Sequence, residues 1–336
     1  MSRNISFVEA VREALNEEME KNKDILYYGI DAAQNVTGLT KGLAAKFGKE
    51  RIVDTPIAES LIVGLGIGSA IMGVRSISEL MYEDFAMLAM DHLYNNMGSW
   101  HYITNGQYSV PLTVITIYGS GTRSGTGHGH SQTLQPVFMS APGISICVPS
   151  NPYDAKGLLK TALRSNNPVI YSLDRVLVRE GGYSNTTGII PTGEVPDGEY
   201  TVPFGQARVA KQGSDVTIVA VGKMVRNAQY SAIELEKEGI NVEIIDPRTI
   251  SPLDKDSILK SVAKTGKLVV AEESRIVNGL GSEILAIIAS EDPSLLKAPA
   301  KRVAAPMIPI PAAAILEDMY VPNKDNITMA VRELFK

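Results

Sequence analysis

Apolar residues recur along this chain in two rhythms, a helical spacing of three to four and continuous β-branched runs. Val8, Val11, Leu15 and Met19 form a helical stripe, and Ser6 and Glu9 ahead of it have capping-box spacing. Ile25–Gly29 reads as a short strand. The pattern then predicts helix 38–48, strand 51–53, helix 60–73, strand 75–80 and helix 83–97. Val110–Tyr118 is β-branched and apolar, the pattern of a strand covered on both faces. A glycine-rich loop follows over 119–129, and strand 144–148, helix 153–165 and strand 168–173 close this half. Such alternation means an α/β layer with a mainly parallel sheet and helices on both faces.

Around residue 180 the character changes to Gly, Ser, Asn, Thr and Pro. We divide the chain into a first domain over 1–185, a linker over 186–202 and a second domain over 203–336. In the second domain strands are expected at Asp215–Val221, Val242–Ile245 and Lys267–Glu272. Helices are expected at 224–239, 254–263, 279–290 and near 325–335.

Composition changes little in this picture. The 336 residues are 44% hydrophobic and 21% charged, with a net charge of −5. Neither a general nucleic-acid surface nor a membrane surface is indicated. Cys147 is the sole cysteine and, between Ile146 and Val148, reads as a buried thiol. With no apolar leader pattern at the N-terminus, the expected location is the cytoplasm.

Glu59 stands at the mouth of an apolar, glycine-rich helix, Leu61 to Gly73. Ile62, Val63, Leu65, Ile67, Ala70, Ile71 and Met72 make that helix apolar on nearly every face, so it reads as buried. Pro56 suits its first turn. A half-buried carboxylate there is either a partner for the helix dipole or a functional group, and the pattern alone leaves both open. Gly64-Leu-Gly66-Ile-Gly68-Ser69 fails as a dinucleotide fingerprint, because its glycines lie inside the helix; close packing is their expected use. The 119–129 loop lacks Gly-Lys-Ser/Thr and is no P-loop, but as a loop after a parallel strand it is expected to face a ligand. His128 and His130 have no evident companions for a zinc site, which leaves proton transfer or a plain loop contact. Phe85, behind Glu83 and Asp84, suits either a core staple or stacking on a planar ring.

Several ordered motifs together resemble one family. Asp54-Thr-Pro-Ile-Ala-Glu59, Glu79-Leu-Met81, Phe85, Gly129-His-Ser-Gln132 and Pro149–Leu159 are similar to β subunits of thiamine-diphosphate-dependent 2-oxo acid dehydrogenases. So are Asp246–Asp254 and Leu316–Pro322, so the resemblance spans essentially the whole chain. Among members, acetoin dehydrogenase β subunits look most similar, through Thr116–Gly121, Thr192–Pro196 and Arg302–Met307.

The resemblance implies a transketolase-like pyrimidine-binding domain followed by a smaller transketolase C-terminal-like α/β domain, in an α2β2 heterotetramer. It implies thiamine diphosphate held between an α and a β subunit, and contact with a lipoyl acyltransferase core. Glu59 matches the glutamate on the aminopyrimidine ring, whose tautomer lets the cofactor form its ylid. Met81 and Phe85 match residues packing on that ring. His130 matches the histidine that passes the acyl group to lipoamide. Ala162, Ser165 and Asn167 fall where members bind a monovalent cation, K⁺, although Ser165 replaces a common Asp. Gly29-Ile30-Asp31 departs from the family's Gly-Glu-Asp, and Leu88 from an acidic or amide residue; both bear on a proton relay. The chain carries no Gly-Asp-Gly with a downstream Asn, so Mg²⁺ and the diphosphate are expected to be bound mainly by the α subunit. His92, Trp100 and His101 are candidate contributors to a substrate pocket. Two other readings stay open. One is half of a split transketolase, with a phosphate clamp near Arg123; the other is a scaffold subunit for the acyltransferase core.

Overall fold

The computed structural model describes residues 2–179 and 192–336. Seven strands form the first sheet, in the order Thr249–Ser251, Ser145–Cys147, Val169–Asp174, Leu112–Tyr118, Ser76–Tyr82, Leu26–Gly29 and Ile52–Asp54. All pairs are parallel except the first, where Thr249–Ser251 crosses from the second half of the chain and pairs antiparallel. Helices Phe7–Lys21 and Pro152–Arg164 pack on each other and on one face of this sheet. The helix Glu59–Ile71 covers the other. The second sheet has five strands, in the order Lys301–Ala305, Leu268–Arg275, Val216–Ala220, Val242–Asp246 and Arg208–Lys211. Helices Lys223–Glu236 and Lys324–Glu333 share its core on one side. On the other side, Ile258, Val262, Ile284 and Ile288 join the core beneath the Glu59 helix, so one apolar cluster runs between the two sheets.

Local chemistry explains the boundaries. Ser6 and Glu9 form the expected capping box, and Asn151 caps the helix at Pro152. Gly66 lies where the Glu59 helix meets two strands: a Cβ there would come 2.5 Å from Ser78 Oγ and 2.7 Å from Leu112 Cδ1. Close packing therefore accounts for Gly66, while Gly68 faces open space. Cys147 is buried.

Several expectations need correction. Helix 38–48 shrinks to Leu43–Phe47, because Gly38 and Gly42 take positive φ and interrupt it. Helix 83–97 is a 3₁₀ segment, Glu83–Ala89, followed by a π-helix, Asp91–Met97. The Asn96 side chain also ties back to this turn, its Nδ2 donating to the Asp91 carbonyl at 3.0 Å. Pro56 lies outside the helix, which begins at Glu59. That helix is not buried all round: it exposes Leu61, Leu65 and, just past its end, Met72 at 82%. Residues 192–196, expected within the linker, form a strand antiparallel to Ser2–Ser6, itself unanticipated. Strand Lys301–Ala305 and helix Ala314–Tyr320 were also not foreseen. The earlier part of the linker lies outside the described residues.

Candidate active site

Glu59 opens its helix and is 4% exposed, more enclosed than the half-buried position expected. Its carboxylate makes no hydrogen bond or ion pair among the described residues. Its oxygens are not among the side-chain atoms sealed from solvent without a partner, so the carboxylate stands open to a ligand from outside these residues.

The Glu59 helix packs on strand Ser76–Tyr82 and on the Glu83–Ala89 turn, which carry Met81 and Phe85. The strand's pairing breaks between Glu79 and Tyr82, and Met81 within the break has φ of +51°. A non-glycine residue held there stores about 1–3 kcal/mol of strain and often marks a binding site. The Phe85 ring meets the His130 ring edge-on at 5.0 Å and 81°. Tyr82 meets His130 at 5.0 Å and 71°, so Tyr82, Phe85 and His130 form one aromatic wall. The Arg175 guanidinium lies 4.9 Å from the Tyr82 centroid, and its Nη1 donates to the His130 carbonyl at 2.6 Å.

Two further carboxylates hold the His130 loop. Asp84 accepts from the backbone N–H groups of Ser131 and Gln132, at 3.2 and 3.1 Å. Glu83 is fully buried and accepts from Leu134 N, Ser172 Oγ and Thr116 Oγ1. Burial pushes the Glu83 carboxyl up to about 7, against the pull of those three bonds. Burial also raises Glu79, whose carboxylate accepts from Tyr27 Oη at 2.6 Å.

The glycine-rich loop is pinned from the second domain. Ser120 N donates to Glu273, Gly121 N donates to Glu317 at 2.7 Å, and Lys223 donates to Ser120 O at 2.7 Å. Lys223 and Glu273 form a buried ion pair at 2.6 Å. Gly119, at φ +96°, leaves room for that carboxylate; a Cβ there would sit 2.8 Å from it.

Other expected residues lie elsewhere. His128 is exposed, and its ring does not share the aromatic wall of His130. Among the described residues no three His, Cys, Asp or Glu side chains group as a metal would need. His101 bonds the Tyr108 carbonyl, His92 lies against Gly64, and Trp100 packs on the first core. Arg123 is held by Asp318 through two hydrogen bonds, so it is not a free phosphate clamp. The strand ends at Gly29, so Asp31 does not continue it; Asp31 is exposed at positive φ, and Leu88 is 65% exposed. At the proposed cation loop, Ala162 O accepts from Ser165 N, Ser165 O from Arg75 at 2.6 Å, and Asn167 O from Ser165 Oγ. Each of these carbonyls already accepts a donor from the fold, and the donor on Ser165 O is the positively charged Arg75. They fit a monovalent cation poorly.

Sequence reasoning missed Tyr82 and Arg175, and read Glu83 and Asp84 only as a helix start. The adjacent acids directly after a strand were the available signal.

Residues 3–180 match the transketolase pyrimidine-binding domain, and residues 205–327 match the transketolase C-terminal domain. The β subunit of acetoin:2,6-dichlorophenolindophenol oxidoreductase from Bacillus subtilis is 39% identical, over 99% of this chain and 98% of that one. The 2-oxoisovalerate dehydrogenase β subunit of the same organism is 38% identical over 98% of each chain. The pyruvate dehydrogenase E1 β subunit of Staphylococcus aureus is 36% identical, again over 98% of each. Among solved structures, a split-gene transketolase described as an inactive β4 tetramer superposes with a TM-score of 0.76 at 24% identity, covering 98% of each chain. Leishmania mexicana transketolase gives 0.71 at 15% identity, with this chain spanning 45% of its length. These two structures share the fold. With both domains matched and three full-length relatives above one-third identity, the chain belongs to the family of β subunits of thiamine-diphosphate-dependent 2-oxo acid and acetoin dehydrogenases.

Proposed function

We propose that this chain works with an α subunit, as α2β2, to cleave acetoin or a 2-oxo acid and pass the acyl group to lipoamide on an acyltransferase core. The observation that carries this reading is Glu59, enclosed at a helix start with no partner among the described residues. Such a carboxyl finds its partner by sharing one proton with a ring nitrogen of an aminopyrimidine. Glu59 holds a proton shared with that nitrogen. Met81 and Phe85 flank the ring and exclude water, and the strained Met81 backbone is the cost of aiming that side chain. His130, set against Phe85 and Tyr82 and fixed through its carbonyl by Arg175, moves a proton to or from the substrate oxygen. When bound, thiamine diphosphate supplies a carbon nucleophile and an electron sink for the departing group. The α subunit brings most of the diphosphate and Mg²⁺ contacts. No helix among the described residues is long and apolar enough to cross a membrane, and we place the complex in the cytoplasm.

The test is reconstitution. The purified chain, given thiamine diphosphate, Mg²⁺ and a dye acceptor, is expected to turn over neither acetoin nor 2-oxo acids. Addition of the α subunit encoded beside it is expected to restore dye reduction. Full activity of the chain alone would contradict the divided site. Transfer between two sugars without dye reduction would instead favour a split transketolase.

A further inference from the structure

The main chain at the His130 ring is held at five successive polar groups. His130 O accepts from Arg175 Nη1, and Ser131 N and Gln132 N donate to Asp84. Ser131 O accepts from Ser120 Oγ at 3.3 Å, and Gln132 O accepts from Gly119 N at 3.1 Å. Two of the five therefore go to one side chain. Asp84 Oδ1 accepts from Ser131 N at 3.2 Å and Oδ2 from Gln132 N at 3.1 Å. Successive N–H groups turned to one anion make a small anion-binding concavity, and here a carboxylate of the chain itself fills it. Hydrogen bonds to an ionised acceptor are about twice as strong as neutral ones.

Asp84 belongs to the turn that carries the rest of the aromatic wall. Its neighbour Phe85 meets the His130 ring at 5.0 Å, and so does Tyr82. One short segment, 82–85, grips the histidine twice: by rings on its side chain and by a carboxylate on the backbone that follows it. Burial pushes the Asp84 carboxyl up; the two amides and the His130 ring pull it back, so the ring lies within electrostatic reach. Glu83, next in the chain, behaves otherwise. It is fully buried and bonded to Thr116 and Ser172 on the central strands as well as to Leu134 N. Asp84 is half-buried, and its bonds go to the His130 loop.

We infer that Asp84 is the positioning residue of His130: it fixes the two amides that follow the histidine, and so ties the place of the imidazole to the turn that carries Phe85. The inference rests on the role proposed for His130 and adds a residue to it. Asp84 acts through His130 and has no share in the step assigned to Glu59.

Two measurements test this. In the full chain labelled at histidine Cε1, the 4 histidines give one resonance each, and His130→Asn identifies that of His130. Asp84→Ala is expected to shift and broaden this resonance and to leave those of His92 and His101 in place. In the complex reconstituted with the α subunit, Asp84→Ala is expected to lower kcat for dye reduction roughly 10–100-fold, the cost of misplacing a catalytic group by about an ångström. Exchange of the thiazolium C2 proton and the affinity for thiamine diphosphate should be unchanged, whereas a turn damaged as a whole would slow exchange too. Asp84→Asn, which offers the two amides one acceptor oxygen, should fall between. Asp84→Ala combined with His130→Ala should be no slower than His130→Ala alone. Circular dichroism and thermal melts check folding, and if Asp84→Ala fails to assemble, Asp84→Asn carries the same comparisons. The proposal is overturned if the His130 resonance of the folded variant matches the parent's, if exchange falls as far as turnover, or if Asp84→Ala slows the His130→Ala complex further. Full turnover in His130→Ala would instead refute the role proposed for His130, and the resonance alone then decides whether Asp84 holds the ring.

Discussion

Glu59 and Glu83 are both buried carboxylates, yet the fold treats them oppositely. Glu83 accepts three hydrogen bonds inside the chain, whereas Glu59 accepts none among the described residues. The first therefore reads as structural and the second as waiting for a ligand. Glu83 makes a pH prediction. Its folded value of about 7 lies above the ordinary 4.5, so between these values the folded chain binds more proton than the unfolded one. The stabilisation from this group is full below about pH 4.5 and is lost as pH rises through 7, by roughly 3 kcal/mol. Denaturant midpoints from pH 4.5 to 7.5 should show that fall, and Glu83→Gln should flatten it. Equal slopes in the two proteins would refute the assignment. At this scale the sequence marked Glu59, Met81, Phe85 and His130 through their motifs. It could not mark Tyr82 or Arg175, whose contacts are set by how distant strands come together.

Among the elements, the glycine-rich loop shows how the second domain bears on the site. Its amides reach Glu273 and Glu317, and Lys223 closes the arrangement. Removing one member of a buried ion pair strands the other. Glu273→Ala is expected to cost about 3–5 kcal/mol in chemical unfolding. The double change Lys223→Met with Glu273→Leu should recover most of that loss. If the double variant is no more stable than the single one, the pair is not the reason. The strand–helix alternation was legible because doubly covered parallel strands are continuous apolar runs, as at Leu112–Tyr118. The π-helix over Asp91–Met97 was not, because its apolar positions keep near-helical spacing. Strand Thr249–Ser251 was also hidden, since its partner, Ser145–Cys147, lies in the other half of the chain.

Across the whole molecule, the two halves make one fold, and the proposed function assigns the rest of the site to an α subunit. The two sheets are joined by a continuous core and a crossing strand, so the halves are set relative to one another. The helix that presents Glu59 leaves Leu61 and Leu65 exposed, with Met87 and Leu88 exposed on the turn it packs against. Apolar surface beside the proposed site suits a subunit interface. In the proposed function, Glu59 activates the thiamine ring once the α subunit has completed the site. The most direct measurement is the exchange rate of the thiazolium C2 proton for deuterium in the reconstituted complex, comparing the parent with Glu59→Gln. Exchange is expected to be slower by at least about 100-fold in the variant, with assembly and cofactor binding retained. Exchange at the parent's rate in an assembled, cofactor-loaded Glu59→Gln complex would contradict it.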